Sequence, residues 1–414
     1  MPAVPNRRHV PAADTLSVLS SAAMRGPLQD LLRARGLKLE HWEHLRSHHR
    51  PGGAVSALYR VRCRRPAGGG GPNPGTDLTL HLGATTADGT VAAGPEVAAA
   101  RIAGLELQLW VHPHDPVLRS LPWATDAAAV ARDVFAAAEP VRLSLVAYRP
   151  LRRAVLRAEH SGQAAYLKLL PPALLPGLRR RHRLLEAGSV PAPRLLPAPA
   201  DAARGAAVLS ALPGTSLFRL LVDDGAAKVR PETFLELLDA LPSAALDLPL
   251  RRSWADRAED YAATAAAALP GQAARIRDLA RGIREAVDSA PAGPLVPAHG
   301  DFHEGNLLLN GGTVTGLLDV DGLGPGRRVD DLACLLGHLA VLAAANPGRP
   351  QLDRALAGYR RVFEEAVDPA ALNARAAGVV LTLVSGARAG QGASRTRNAL
   401  VRLETAHRLL RAAG

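Results

Sequence analysis

One stretch limits this chain more than any other: His299-Gly300-Asp301-Phe302-His303-Glu304-Gly305-Asn306, followed shortly by Leu318-Asp319-Val320-Asp321. Between them lie Leu307-Leu308-Leu309, the turn signal Asn310-Gly311-Gly312 and the segment Val314 to Leu318. Two short apolar segments around Asn-Gly predict a β-hairpin. A hairpin returns the chain to where it started, so it carries Asp319 back beside Asn306. Local structure alone thus gathers one amide oxygen and the carboxylates of Asp301 and Asp319. Hard oxygen donors such as Asn306 and Asp319 suit magnesium, with water and phosphate completing an octahedron.

The loop reads H-G-D-x-x-x-x-N. Its Asp-to-Asn spacing is that of the protein-kinase catalytic loop, where the Asp accepts the proton of the attacking hydroxyl and the Asn holds magnesium. The later acid stands where a kinase chelates the metal that bridges the nucleotide phosphates. On this reading Asp301 orients a hydroxyl and takes its proton late, since phosphoryl transfer needs positioning more than a strong base. Asn306 and Asp319 bind the metal, and His299 holds the loop by hydrogen bonds. Asp321 either assists the metal or caps the following turn. His303 and Glu304 receive no role. Asp330 or Asp331 is an acceptable N-cap for a helix through Leu342.

A second signal is a lysine in a chain that has almost none. Lysine occurs only at Lys38, Lys168 and Lys228, and Arg supplies nearly all the remaining positive charge. Lys168 lies on the return strand Ala164 to Leu170 of a hairpin that opens with Arg152 to Ala158. A compact ammonium reaching a phosphate is a reason to keep lysine where the guanidinium fork would not substitute. The competing reading is a surface lysine with its stem packed and its head in water. A helix over Leu174 to Ala187 follows, rich in Arg179, Arg180, Arg181 and Arg183. Its one acid, Glu186, is either the partner of Lys168 or a solvated helix end. The strand Ala206 to Ser210 then meets Leu212-Pro213-Gly214, a natural hinge. The backbone from Leu209 to Leu212 is the candidate edge for adenine.

The first 140 residues read differently. An amphipathic helix is expected around Leu16 to Arg35. The alternation of 57–63 and 78–82, broken by Gly68 to Pro72, predicts a hairpin with a long loop. Leu105 to His112 is a further strand and Ala124 to Ala138 a helix. His112-Pro113-His114-Asp115 is read as a stiff turn in preference to a metal cluster. Arg50-Pro51-Gly52-Gly53-Ala54-Val55 is echoed by Arg149-Pro150-Leu151-Arg152-Arg153-Ala154-Val155, which suggests that residues 50–83 are a degenerate copy of the later hairpin. Beyond Ser216 the pattern is helical: 217–222, 231–241, 254–269 and 272–287.

Composition excludes more than it asserts. A net charge of +12 raises nucleic-acid binding. However, the arginines are scattered among Ala, Gly and Pro, and no basic run alternates with aromatics as a stacking platform requires. No apolar run reaches the length of a membrane helix, and no secretory signal is visible at Met1 to Pro11. Cys63 and Cys334 fit no metal spacing and suit a reducing, cytoplasmic setting. Aromatics are only 3% of residues, so the core must be Leu, Val and Ala.

With these residues in place, the chain resembles the aminoglycoside phosphotransferase and choline-kinase-like superfamily. The resemblance rests on Lys168, Val190-Pro191-Ala192-Pro193, Leu212-Pro213-Gly214, His299-Gly300-Asp301 with Asn306, Leu318-Asp319-Val320-Asp321, and Asp331-Leu332-Ala333. It implies an α+β, bilobal protein-kinase-like fold, with a small β-rich N-lobe, a large helical C-lobe and an extra N-terminal α/β cap. The implied division is a cap over 1–140, an N-lobe over 141–212 and a C-lobe over 213–414. The resemblance also implies ATP- and Mg2+-dependent transfer to a hydroxyl of a small molecule: a sugar, an aminoglycoside or an amino alcohol. Two departures stand out: an early Glu is missing from the helix after Lys168, and only Ser161-Gly162 occupies the first hairpin where a Gly-rich loop is usual. They favour the alternative of a nucleotide-binding pseudokinase or scaffold; the intact base and metal ligands oppose it. Trp254, Asp256, Glu259 and Asp260 are candidate walls of the acceptor site. The sequence is silent on oligomeric state and on the acceptor itself.

Overall fold

Alternation and turn chemistry decide the first part of the chain, and apolar periodicity the second. The computed structural model describes residues 12–48, 54–66, 76–86, 96–197, 205–386 and 393–414. Two units separate: Met1–Pro176 with Leu196–Leu209, and Gly177–Leu195 with Ser210–Gly414. No helix among the described residues is long and apolar enough to cross a membrane.

The first unit begins with α1 (Ala12–Ser20) and α2 (Arg25–Arg33). The single helix expected over Leu16 to Arg35 is broken at Ser21, whose hydroxyl donates to Val18 O and accepts from Ala23 N–H, closing a short 3-10 turn. Then come β1 (Lys38–His48), β2 (Ser56–Arg64), β3 (Asp77–Thr86), β4 (Val97–Ile102) and β5 (Leu105–Val111). They form an antiparallel sheet in the order β1-β2-β3-β5-β4. Cys63 pairs with Leu78 and Ser56 with Thr85, the hairpin that the alternation predicts; its Gly68 to Pro72 loop lies outside the described residues. β1 was not expected. It buries only Leu39 along its length, so no apolar alternation announces it.

The helix expected over Ala124 to Ala138 is likewise two, α3 (Leu121–Thr125) and α4 (Ala127–Phe135). Asp126 divides them by accepting from the amides of Ala128 and Ala129, a helix N-cap. A second antiparallel sheet follows, β6 (Arg142–Arg149), β7 (Arg153–His160), β8 (Gln163–Leu169) and, after α5 (Leu175–Glu186), β9 (Ala206–Ser210). Its order is β6-β7-β8-β9. Ser161 and Gly162 turn β7 into β8, both with positive φ (47° and 79°). Leu196 N–H donates to Val208 O at 2.9 Å, which adds a strand-like segment on the free edge of β9. Both sheets therefore share one plan, in which the last segment lies beside the third strand and its predecessor lies outside.

Trp110 joins the sheets of this unit. Gly83 pairs with Trp110 across β3 and β5, and a Cβ at Gly83 would sit 2.2 Å from the indole. Glycine is required there because the ring lies flat on the backbone. Trp110 Nε1 donates to Tyr148 Oη at 3.3 Å, and Tyr148 Oη donates to Asp115 at 2.9 Å. Asp115 also accepts from the amides of Val117, Leu118 and Leu151. Burial pushes its carboxyl above the ordinary range while these donors hold it down.

In the second unit a short β10 (Thr215–Ser216) precedes α6 (Leu217–Asp224), α7 (Glu232–Asp239), α8 (Ala258–Ala268) and α9 (Ala273–Ser289). Then come β11 (Leu295–Ala298), β12 (Leu307–Asn310), β13 (Thr313–Leu317), β14 (Gly324–Arg327) and the helices α10 (Arg328–Ala345), α11 (Pro350–Ala366), α12 (Pro369–Leu383) and α13 (Ala393–Arg411). The core is Leu, Ala and Val, as the scarcity of aromatics requires. A few rings gather at its centre: Phe234 lies 6.1 Å from Phe302 and 5.7 Å from Tyr359.

Truncating Asp115 strands one buried hydroxyl and three amides. Each such loss costs about 1–3 kcal/mol. Asp115→Ala is expected to lower unfolding free energy by at least about 3 kcal/mol in urea melts. Asp30→Ala, which removes only an exposed ion pair, should change it by less than about 1 kcal/mol.

Candidate active site

The hairpin between the two acidic segments forms as its turn signal requires. Leu307 pairs with Leu317 and Asn310 with Thr313, around Gly311 and Gly312 at φ 58° and 96°. Leu318 N–H donates to Asn306 O at 2.8 Å, so Asp319 follows directly on a residue tied to Asn306. His299 fixes the same point from the other side. Its Nδ1 accepts from Asp301 N–H at 3.3 Å, which leaves the proton on Nε2 to meet Leu318 O at 2.9 Å. The structural role expected of His299 is thus a bridge between the two segments. Asp319 itself takes a left-handed conformation (φ 54°, ψ 50°), which Asp tolerates better than most residues. The loops meet backbone to backbone: a Cβ on Gly300 would lie 3.0 Å from Gly322 O, and one on Gly322 2.6 Å from His299 O.

Asn306 is buried, and its side-chain nitrogen donates to Asp301 O at 2.9 Å and faces His303 Nε2 at 3.1 Å. Its amide is thereby oriented, with Oδ1 left to act as a ligand. Phe302 is fully buried beside Asp301, which anchors the loop while Asp301 stays half-exposed. These contacts suit a magnesium ion held by Asn306 and Asp319.

Asp330 and Asp331 lie in the first turn of α10, which begins at Arg328. They are not its cap. Asp331 is almost fully buried and accepts from two successive loop amides, His299 at 2.7 Å and Gly300 at 2.8 Å. Burial pushes its pKa up to about 6, against the pull of His299 and those amides. Asp330 accepts from Arg375 Nη1 at 2.6 Å. Arg375, on α12, is 5% exposed; Nη1 also lies 3.5 Å from Ser253 Oγ and 3.7 Å from Asp256. Its buried Nε has no hydrogen bond among the described residues. Ser253, Trp254, Gly300, Asp330 and Arg375 line one cleft. Of the wall residues expected from sequence, Trp254 lines it and Asp256 reaches Arg375, whereas Asp260 pairs with exposed Arg252 and Glu259 is exposed. Arg375 was missed; an arginine among the Ala, Leu and Val of α12 was the available signal.

The remaining expected residues fall as follows. Lys168 is buried on β8, opposite Val155. Leu209 is buried on β9 in the first unit, and Leu212 is half-buried in the second. Glu186 ends α5 and is exposed. Besides Leu175, Leu178 and Leu185, α5 buries two polar residues, Arg181 and His182. Arg181 Nε donates to Leu323 O at 2.8 Å, so an arginine of this helix grips the segment after Asp319. Burial lowers its pKa, and nearby Asp321 opposes the shift.

His303 and Glu304 join a third residue, His338 of α10. The imidazoles of His303 and His338 stack at 4.5 Å and 12°. Glu304 Oε2 is 3.2 Å from His338 Nδ1 and 3.7 Å from His303 Nδ1. Burial pushes Glu304 up, but the two histidines outweigh it and hold its pKa below the ordinary value. Burial pulls His338 down, and Glu304 overcomes it and raises His338. Burial and then His338 lower His303.

Residues 151–372, more than half of the chain, match the sequence model of the phosphotransferase enzyme family. No curated protein matches the chain. Among solved structures, a thermostable mutant of aminoglycoside phosphotransferase APH(4)-Ia in ternary complex with ADP and hygromycin B is similar at 14% identity. That match covers 66% of this chain and 95% of that one, with a TM-score of 0.46. An ethanolamine kinase of Plasmodium vivax is similar at 10% identity (66% and 84% covered, TM-score 0.45). A putative aminoglycoside phosphotransferase of Ralstonia eutropha is similar at 14% identity (69% and 96%, TM-score 0.43).

Because the folded pKa of Asp331 lies above its unfolded value, the folded state holds more protons between about pH 4 and 6. This group therefore lowers stability as pH rises through that window, by up to about 3 kcal/mol. Asp331→Asn removes the titration. Urea melts should show wild-type stability minus variant stability falling between pH 4 and 6 and flat above 7.

Proposed function

The chain belongs to the phosphotransferase enzyme family, and we propose that it moves the terminal phosphoryl group of ATP to a hydroxyl of a small molecule with the help of Mg2+. One observation carries this reading: His299 and Asn306 tie Leu318 from both sides, which sets Asp319 beside the loop that bears Asp301. A base and two oxygen ligands on interlocked loops are what phosphoryl transfer needs from a protein.

Asp301 orients the acceptor hydroxyl and takes its proton late in the step. Asn306 and Asp319 hold the magnesium, which when bound neutralises charge on the nucleotide phosphates. Lys168 engages the alpha and beta phosphates, and the backbone from Leu209 to Leu212 meets adenine. The acceptor enters the cleft of Ser253, Trp254, Asp330 and Arg375, whose hydrogen-bonding groups suit a sugar, aminoglycoside or amino alcohol. Residues 1–140 act as an N-terminal cap, and the sheet plan shared with residues 142–210 supports reading its strands as a degenerate copy of the N-lobe. Buried Cys63 and Cys334 suit a cytoplasmic location.

A second reading, a nucleotide-binding scaffold without turnover, is favoured by α5, which buries Arg181 and exposes Glu186. ATP consumption against a panel of sugars, aminoglycosides and amino alcohols separates the two. Turnover is expected with at least one acceptor, and Asp301→Ala should cut kcat by about 10²–10⁴-fold. Magnesium-dependent ATP binding with no turnover on any acceptor supports the scaffold. Arg375→Met should raise the KM for acceptor at least about tenfold, the loss of one charged hydrogen bond, and leave the KM for ATP within about twofold.

A further inference from the structure

Asp319 stands in a conformation that an L residue rarely adopts. At φ 54° and ψ 50° it is left-handed, and a non-glycine residue stays there only where the surrounding structure holds it. On one side its neighbour Leu318 is tied to Asn306 and His299. On the other side Asp319 leads into one 3-10 turn, Val320–Gly322, which Leu323 N–H closes on Val320 O at 3.1 Å. The far end of that turn is held from α5. Arg181 Nε donates to Leu323 O at 2.8 Å, and Nη1 donates back to Gly177 O at 2.9 Å. Arg181 is buried, and Leu323 is fully buried. A guanidinium stays charged in a protein interior, and a charged donor makes the stronger kind of hydrogen bond. The place is fitted to this side chain. A Cβ on Gly177 would lie 3.1 Å from Nη1, closer than ordinary contact, so glycine leaves the room that the guanidinium takes.

We propose that Arg181 is a positioning residue for the divalent metal: by holding Leu323 it keeps the turn closed and Asp319 left-handed, with its carboxylate beside Asn306. Without the guanidinium, the buried carbonyl of Leu323 loses a charged donor, and the turn is free to relax. Asp319 then returns to commoner backbone angles, which re-aims its side chain. The catalytic loop has its own hold, since Asp331 accepts from His299 N–H and Gly300 N–H. Arg375 is held separately by Asp330. The loss of Arg181 therefore falls on the metal and spares the acceptor. α5 thus serves the metal segment through a cation, while its one acid, Glu186, is exposed. The effect on metal rests on the reading of Asn306 and Asp319 as its ligands; the hold of Arg181 on the turn does not.

The test uses the full chain, with circular dichroism confirming each fold; Arg181→Gln replaces Arg181→Met should the latter not fold. Amide hydrogen exchange of the metal-free protein reads the hold itself. Arg181→Met should speed exchange over residues 319–323 by about tenfold or more, as loss of a hydrogen bond to a charged group gives, and leave α13 unchanged. Unchanged exchange over 319–323 overturns the hold. Water proton relaxation with Mn2+ and ATP reads the metal. Arg181→Met should weaken Mn2+ by about tenfold, and Arg181→Lys, which keeps a charged donor, should stay within about threefold of the wild type. With any acceptor that turns over, Arg181→Met should raise the Mg2+ needed for half-maximal rate by about tenfold and leave the KM for acceptor within about twofold. Equal Mn2+ affinity in the wild type and Arg181→Met overturns the positioning role, as does a change confined to the KM for acceptor. A wild type that binds no Mn2+ with ATP counts against the reading of Asn306 and Asp319, and the exchange measurement still decides whether Arg181 holds the turn.

Discussion

The carboxylate of Asp331 carries the arrangement around the catalytic loop. It sits almost fully buried in the first turn of α10 and accepts from the amides of His299 and Gly300. Each amide takes a different oxygen of the carboxylate, and hydrogen bonds to an ionised group are the stronger kind. The N-terminal end of a helix also favours negative charge. The cost of burying the group shows in its pKa, pushed up to about 6. With the loop held there, Gly300 meets Gly322, His299 reaches Leu318, and Asp319 follows in its left-handed turn.

The neighbouring acid does the opposite work. Asp330 holds Arg375 at the wall of the cleft, while Asp331 holds the loop. One helix start thus links the catalytic loop to the surface proposed for the acceptor. About two turns further along α10, His338 meets Glu304. Three side chains of one helix bear on the loop or on the cleft beside it, so the loop's geometry depends on how α10 packs. That packing is dense: Leu332, Ala333, Leu335 and Leu336 are fully buried.

Local signals carried much of this. The hairpin β12–β13 followed from Asn310-Gly311, the hairpin β7–β8 from Ser161-Gly162, and most helices of the second unit from their periodicity. Failures occurred where side chains override pattern. Ser21 and Asp126 each split what periodicity reads as one helix, because a hydroxyl or carboxylate competes for backbone groups. β1 and β6 were missed because little of either is buried. Within the candidate site, short-range spacing suggested Asp301, Asn306 and Asp319. It could not reveal Asp331, Arg375, Arg181 or His338, whose partners lie on other elements. For Asp331, Arg375 and His338 a charge or imidazole in a largely apolar helix was the one trace; Arg181, among the arginines of α5, left none.

The central claim is that Asn306 and Asp319 hold the divalent metal that accompanies the nucleotide. Electron paramagnetic resonance of Mn2+ tests it most directly. Titrating Mn2+ with ATP into the wild type should deplete the free-ion signal, whereas Asn306→Ala and Asp319→Ala, each folded by circular dichroism, should require at least about tenfold more protein, as loss of a ligand to a hard cation demands. Equal depletion by all three proteins would contradict the account.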